Sequence, residues 1–241
     1  MQPSRPKRPT AAIVGDSHAQ VLGPVLKSLF EEGGWFEVSF VDAKPGRSLR
    51  AAVQDSNLIN RLDGVGNLVV ILGGNDRVTD EQAYASDVAN FLAAVQAQGV
   101  NRVVWVGPMP TTLPDTEVDQ RHQQVRELQD ILLNTLQDEG VSWVDAYPLV
   151  RPSQLGPDGV HLTREGYGSL AERLVLSEPV VQMAQAATPP IMVPETRVVF
   201  GKRPTKQASM GGDSGLGQAL TAVGLLGILG FIGYQAMNET A

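Results

Sequence analysis

The sequence contains no cysteine. Disulfide staples, thiolate metal sites and a cysteine nucleophile are thereby excluded together. Histidine is scarce too: His18, His122 and His161 are the only three, so the search for a base that titrates near neutrality is short. Aromatic residues make up 5% of the chain, and Asp and Glu outnumber Lys and Arg, 26 to 19, for a net charge of −7. A chain with that balance has no general attraction for nucleic acid or anionic lipid, and no nucleic-acid partner is expected. A long hydrophobic run is missing near the N-terminus. The first apolar stretch, 11–14, is too short for a signal peptide and follows the polar, proline-rich MQPSRPKRPT. Residues 1–10 read as a disordered arm.

What is present is a chain of 241 residues, 42% of them hydrophobic, long enough for one domain with a full core plus an appendage. Strand-like and helix-like segments alternate. Short β-branched runs at 11–15, 36–42, 68–73, 102–107 and 141–146 are bounded by glycine, proline or polar turn residues. NLVVILGG and RVVWVGP are almost continuously apolar, as in strands covered on both faces. Helical spacing of apolar residues predicts helices over 19–32, 80–98, 119–139 and 164–177. Thr79 with Gln82 forms a capping-box pattern, Gly140 ends the third helix, and Thr163 caps the fourth. The order predicts an α/β domain over 11–178, a parallel sheet with helices on both faces, whose site lies at the carboxyl ends of the strands.

Four short motifs stand where strands end. IVGDSH places Ser17 between the first strand and a helix, where free N–H groups point outward; the plainer reading is that Asp16 or Ser17 caps the helix. KPGRS places Gly46 after the second strand, as a turn or as backbone that approaches a substrate closely. ILGGND sets Gly73, Gly74, Asn75 and Asp76 after the third strand, either an ordinary turn or an amide donor for a developing oxyanion. LGPDGVHLT carries Asp158 three residues before His161, a spacing that lets a carboxylate orient an imidazole whose other nitrogen faces a serine. A serine hydroxyl needs a base to become a nucleophile, and its tetrahedral intermediate needs waiting donors. The four motifs together supply each part.

In their order and spacing these motifs resemble the SGNH hydrolases, or GDSL-like esterases and lipases, over residues 11–178. The resemblance implies a three-layer α/β/α sandwich with a five-stranded parallel sheet of flavodoxin-like order. It implies a catalytic triad of Ser17, Asp158 and His161, and an oxyanion hole from the Ser17 N–H, the Gly46 N–H and the Asn75 side chain. No metal or cofactor is implied. One residue departs from the pattern: His18 stands where an apolar residue is commoner. Adjacent to Ser17, it is a poor candidate base, and it is expected to point elsewhere and line the substrate entrance. His122, on the polar side of a predicted helix, reads as solvated.

The expected activity is cleavage of an acyl ester through an acyl-enzyme, with a short acyl group, such as acetyl on a carbohydrate, favoured by the short loops. A lysophospholipase, a thioesterase or an acyltransferase of the same fold is the alternative. So is a non-catalytic binding or structural protein held at a membrane, including one of a virus particle. The substrate is an acylated small molecule, carbohydrate or lipid. Residues 179–213, with Pro179, Pro189, Pro190, Pro194 and Pro204, read as a linker. Residues 214–238 carry no charge, and the 22 residues of 216–237 would cover roughly 33 Å as a helix, enough to cross a bilayer core of about 30 Å. A single membrane-spanning helix in a lipid bilayer is expected there. Lys202, Arg203 and Lys206 before it predict a catalytic domain on the cytoplasmic side.

Overall fold

The computed structural model describes residues 8–187. Within them the order is β1 (Thr10–Gly15), α1 (Ser17–Glu32), β2 (Glu37–Ala43), α2 (Leu49–Gln54), α3 (Ser56–Asn60), β3 (Asn67–Ile71), α4 (Glu81–Ala97), β4 (Arg102–Val106), α5 (Glu117–Asn134), β5 (Val141–Val144), α6 (Arg164–Val175) and α7 (Glu178–Ala187). The five strands form one parallel sheet in the order β2-β1-β3-β4-β5. In this flavodoxin-like order the sheet grows outward in both directions from β1 and β3, and the switch leaves a crevice at their carboxyl ends.

Successive strand residues face opposite sides of a sheet, and here that alternation divides the core in two. Ala12, Val14, Leu68, Val70, Val103 and Trp105 pack with residues of α2, α3, α4 and α5, among them Leu49, Leu58, Phe91 and Leu132. Ala11, Ile13, Val69, Ile71, Val104 and Val106 pack with α1, α6 and α7 through Leu22, Leu170 and Met183. Each fully buried Val, Leu, Ile or Phe of such a core stabilises the fold by about 1.5–3 kcal/mol. Both strand faces are covered, which is why β3 reads as an unbroken apolar run.

Several expectations need correction. The cap of α4 is Asp80, one residue beyond Thr79; its carboxylate accepts the Ala83 N–H at 3.1 Å. The helix expected over 119–139 starts earlier, at Glu117 behind a Thr116 cap, and stops at Asn134. A separate 3₁₀ turn, Gln137–Glu139, then leads to Gly140 at φ 82°. The linker expected from 179 begins no earlier than 188, because Glu178–Ala187 is helical and buries Val180 and Met183. Pro179 lies in the first turn of α7, where a missing N–H costs no helical hydrogen bond. At the other end, residues 8–10 of the expected arm belong to the fold: the Arg8 guanidinium donates to the Glu31 carbonyl at 2.8 Å, and β1 opens at Thr10. Residues 1–7, residues 188–213 of the linker and the apolar run 214–238 lie outside the described residues. Among the described residues no helix is long and apolar enough to cross a membrane.

Candidate active site

Gly15 pairs with Ala43 of β2 on one side and Ile71 of β3 on the other. The three strands therefore finish on one row, and Ser17, Gly46 and Asn75 follow that row by two, three and four residues. Asp16 caps α1 by accepting the His18 N–H at 2.9 Å. Ser17 is then the first residue of the helix, half-buried at its positive end.

The base arrives from the β5 edge of the sheet, on the loop between β5 and α6. That loop is tightly closed: the Gly156 N–H donates to the His161 carbonyl at 2.6 Å, and Leu155 and Leu162 form an antiparallel bridge. Gly159, at φ 69°, occupies the left-handed region and its carbonyl accepts the Thr112 N–H at 2.9 Å. One oxygen of Asp158, Oδ1, accepts the N–H groups of Val160 at 3.0 Å and His161 at 2.9 Å. The other, Oδ2, lies 2.7 Å from His161 Nδ1, and His161 Nε2 lies 2.9 Å from Ser17 Oγ. A carboxylate only accepts, so Nδ1 carries the proton and Nε2 is left to accept the serine hydrogen. The bond from His161 holds the Asp158 carboxyl down at about 2. The structure thus brings Ser17, His161 and Asp158 into one relay.

Gly46 sits in a turn after β2 at φ 73°, closed by a bond from the Arg47 N–H to the Lys44 carbonyl. Pro45 before a left-handed glycine is the sequence of a type II turn. Asn75 points its side-chain amide back into the site, 3.2 Å from Asp16 Oδ2 and 3.5 Å from the Arg47 carbonyl. Asp76, only 6% exposed, accepts the Leu49 N–H at 2.8 Å. The loops after β1, β2 and β3 are thus laced to one another. Desolvation pushes the buried Asp16 carboxyl up to about 6 and that of Asp76 up to about 7.

Arg47 went unmarked in the sequence, where a basic residue in a Pro-Gly stretch reads as solvated. It is buried, and its guanidinium reaches the Gly15 carbonyl at 3.3 Å, the Asp42 carboxylate at 2.6 Å and Asp55 at 3.4 Å. It pins the Gly46 turn to the end of β1. Two histidine readings are overturned. His122 is not solvated but buried, with Nδ1 2.8 Å from the Met109 carbonyl and Nε2 3.0 Å from the Gly74 carbonyl. Burial holds this ring below its usual pKa. His18 does not line an entrance: it is 4% exposed, tilted beside the His161 ring at 5.1 Å between centroids, and its Nδ1 is 3.0 Å from the Tyr167 hydroxyl. Desolvation pushes it down to about 3, so it stays neutral. Tyr167 itself gave no signal beyond helical spacing.

Among curated proteins no relative matches the sequence. Solved structures are similar in fold. A family 3 carbohydrate esterase from Clostridium thermocellum is 16% identical, with 75% of this chain and 98% of that one covered at a TM-score of 0.60. Another, from Talaromyces cellulolyticus, is 15% identical over 74% and 99% at 0.57. The lipase Lip_vut3 from a goat rumen metagenome is 16% identical over 70% and 96% at 0.55. The model of the GDSL-like Lipase/Acylhydrolase family matches residues 12–168. That stretch spans more than half of the sequence and takes in every residue of the relay, and the chain belongs to this family of carboxylic ester hydrolases.

Proposed function

We propose that the chain is a serine esterase that removes short acyl groups from polar, carbohydrate-like alcohols through an acyl-enzyme on Ser17. The observation that carries this reading is the relay from Ser17 Oγ through His161 to Asp158. Ser17 Oγ attacks the ester carbonyl carbon while His161 Nε2 takes its proton. Negative charge on the carbonyl oxygen meets the Ser17 and Gly46 N–H groups and the Asn75 amide, the last of which turns from Asp16 toward it. The imidazolium returns the proton to the leaving alcohol as the C–O bond breaks. A water then repeats the attack on the acyl-enzyme, again giving its proton to His161, and the acid leaves.

The polarity of the space beside Asn75 supports the choice of substrate. A cavity of about 490 Å³ adjoins Asn75 and is lined by Ser48, Arg50, Arg77, Thr79 and Asp87 among others. Such walls can bond hydroxyl groups and offer little to a long alkyl chain. Carbohydrate esterases and a lipase share the fold, so the fold alone does not choose between them; the polar lining supports the carbohydrate reading.

A fluorophosphonate probe tests the reading. The wild-type chain should be labelled at Ser17, and Ser17→Ala and His161→Ala should each lose labelling and esterase turnover together, since members of a relay act as a unit. Ester turnover that survives in Ser17→Ala would sink the assignment.

We also propose that residues 214–238 attach the enzyme to a membrane, with the hydrolase domain on the cytoplasmic side. The support is the uncharged run and the basic trio before it.

A further inference from the structure

We propose that His18 and Tyr167 are positioning residues that tie the helix bearing the nucleophile to the loop bearing the base. The proposal rests on the roles given above to Ser17 and His161. His18 follows Ser17 in the chain and lies buried on α1. Its Nδ1 is 3.0 Å from the hydroxyl of Tyr167, a buried residue of α6. The backbone N–H of Tyr167 donates at 2.9 Å to the carbonyl of Thr163, two residues after His161. A phenol O–H is a stronger donor than a neutral imidazole N–H, so the tyrosine gives its hydrogen to His18 Nδ1. His18 is thereby fixed as the tautomer with its proton on Nε2.

These contacts close a ring. Ser17 and His18 are joined by a peptide bond, His18 and Tyr167 by a hydrogen bond, Tyr167 and Thr163 by a backbone hydrogen bond, Thr163 and His161 by two peptide bonds, and His161 returns to Ser17 at 2.9 Å. The ring matters because the base is poorly supported otherwise. The His161 side chain is 44% exposed and its Asp158 partner 54%. The buried face of the imidazole rests beside His18, at 5.1 Å between centroids with the planes 34° apart. A neutral His18 can hold that place while His161 becomes an imidazolium, since no second positive charge is brought near it. An apolar side chain at position 18 would fill the space but would accept nothing from Tyr167.

Tyr167→Phe removes one oxygen and keeps the ring. His18→Leu removes the acceptor, and His18→Asn keeps one, with Oδ1 standing near the place of Nδ1. Fluorophosphonate labelling of the full-length wild type comes first, and absence of label at Ser17 there overturns the functional reading and this proposal with it. With the wild type labelled, Tyr167→Phe and His18→Leu should each lower the labelling rate and kcat by about 10- to 100-fold, the scale on which lost positioning acts. KM should hold, because the tie touches no substrate. The double variant should be no slower than the slower single one, since both break the same link, and His18→Asn should recover most of the rate lost in His18→Leu. An unchanged rate in Tyr167→Phe, losses that multiply in the double variant, or a rise in KM with kcat intact would overturn the tie while leaving Ser17 as the nucleophile.

Discussion

Asp16 and Asp76 both hold their protons more tightly in the folded chain than a free carboxyl does, at about 6 and about 7, because burial penalises the charge. Asp76 is the simpler case: one oxygen accepts the Leu49 N–H and the other, buried, has no partner. A carboxyl whose pKa is raised by folding contributes stability that is full below its unfolded value, about 4, and is lost as pH climbs through the folded value. Asp158 has the opposite sign, but its carboxyl is held down at about 2, so its contribution changes only at much lower pH. His18 and His122, whose rings burial holds below their usual pKa, have the opposite slope up to about 6.5, so the share of one carboxyl is read as a difference between variant and wild type. Asp76→Asn stays neutral and still accepts from Leu49, so the wild type should lose stability relative to it between about pH 4 and about pH 7, by at most about 4 kcal/mol. Calorimetry of both proteins across the range gives the answer, and parallel curves would mean that Asp76 is ionised in the fold. Asp76 was visible in the sequence as part of GGND, yet nothing there said that one carboxylate oxygen would be stranded. The same holds for His122: helical spacing put it on a polar side, while the carbonyls of Met109 and Gly74 that enclose it come from distant loops.

At the scale of elements, the junction of β1 and α1 decides where Ser17 stands. Gly15 has no room for a side chain: a methyl group there would lie 2.5 Å from the Ala19 Cβ and 2.5 Å from the Ile71 carbonyl oxygen. Neither neighbour is the end of a flexible chain, so Gly15→Ala has to lift α1 from β3. Overpacking of this kind costs about 1–3 kcal/mol, and it moves Ser17 away from Asn75, so kcat should fall along with the denaturant midpoint. A Gly15→Ala protein with both unchanged would show that α1 is not seated this closely. The sequence revealed the five strands because continuous apolar runs between turn residues leave few other readings. It concealed α2 and α3, which at six and five residues show no period. It misread α7 because Pro179 resembles the opening of a linker. The strand ends could be picked out with their chemistry-bearing residues, whereas the Arg47, His18 and Tyr167 contacts depend on side chains that meet only when the sheet is assembled.

For the whole molecule, the question is where the folded unit stops. All five strands, the relay and Tyr167 lie before residue 168, but α7 packs on β4, β5 and α6. Its Val180 and Met183 are each 2% exposed. Cutting the chain after Ser177 would uncover those two side chains and the apolar surface beneath them, a loss of roughly 3–6 kcal/mol at about 1.5–3 kcal/mol for each. That is a large share of the stability of an ordinary domain, about 5–15 kcal/mol. A chain ending at Ala187 keeps the contact. It should therefore stay in the aqueous phase of a detergent phase separation and react with a fluorophosphonate at the rate of the full-length protein. The chain ending at Ser177 should melt lower and label poorly. The full-length protein, which adds residues 214–238, should move to the detergent phase. Full-length protein that remains in the aqueous phase would remove the membrane proposal. If the two truncated chains had equal midpoints, α7 would be an appendage rather than part of the domain.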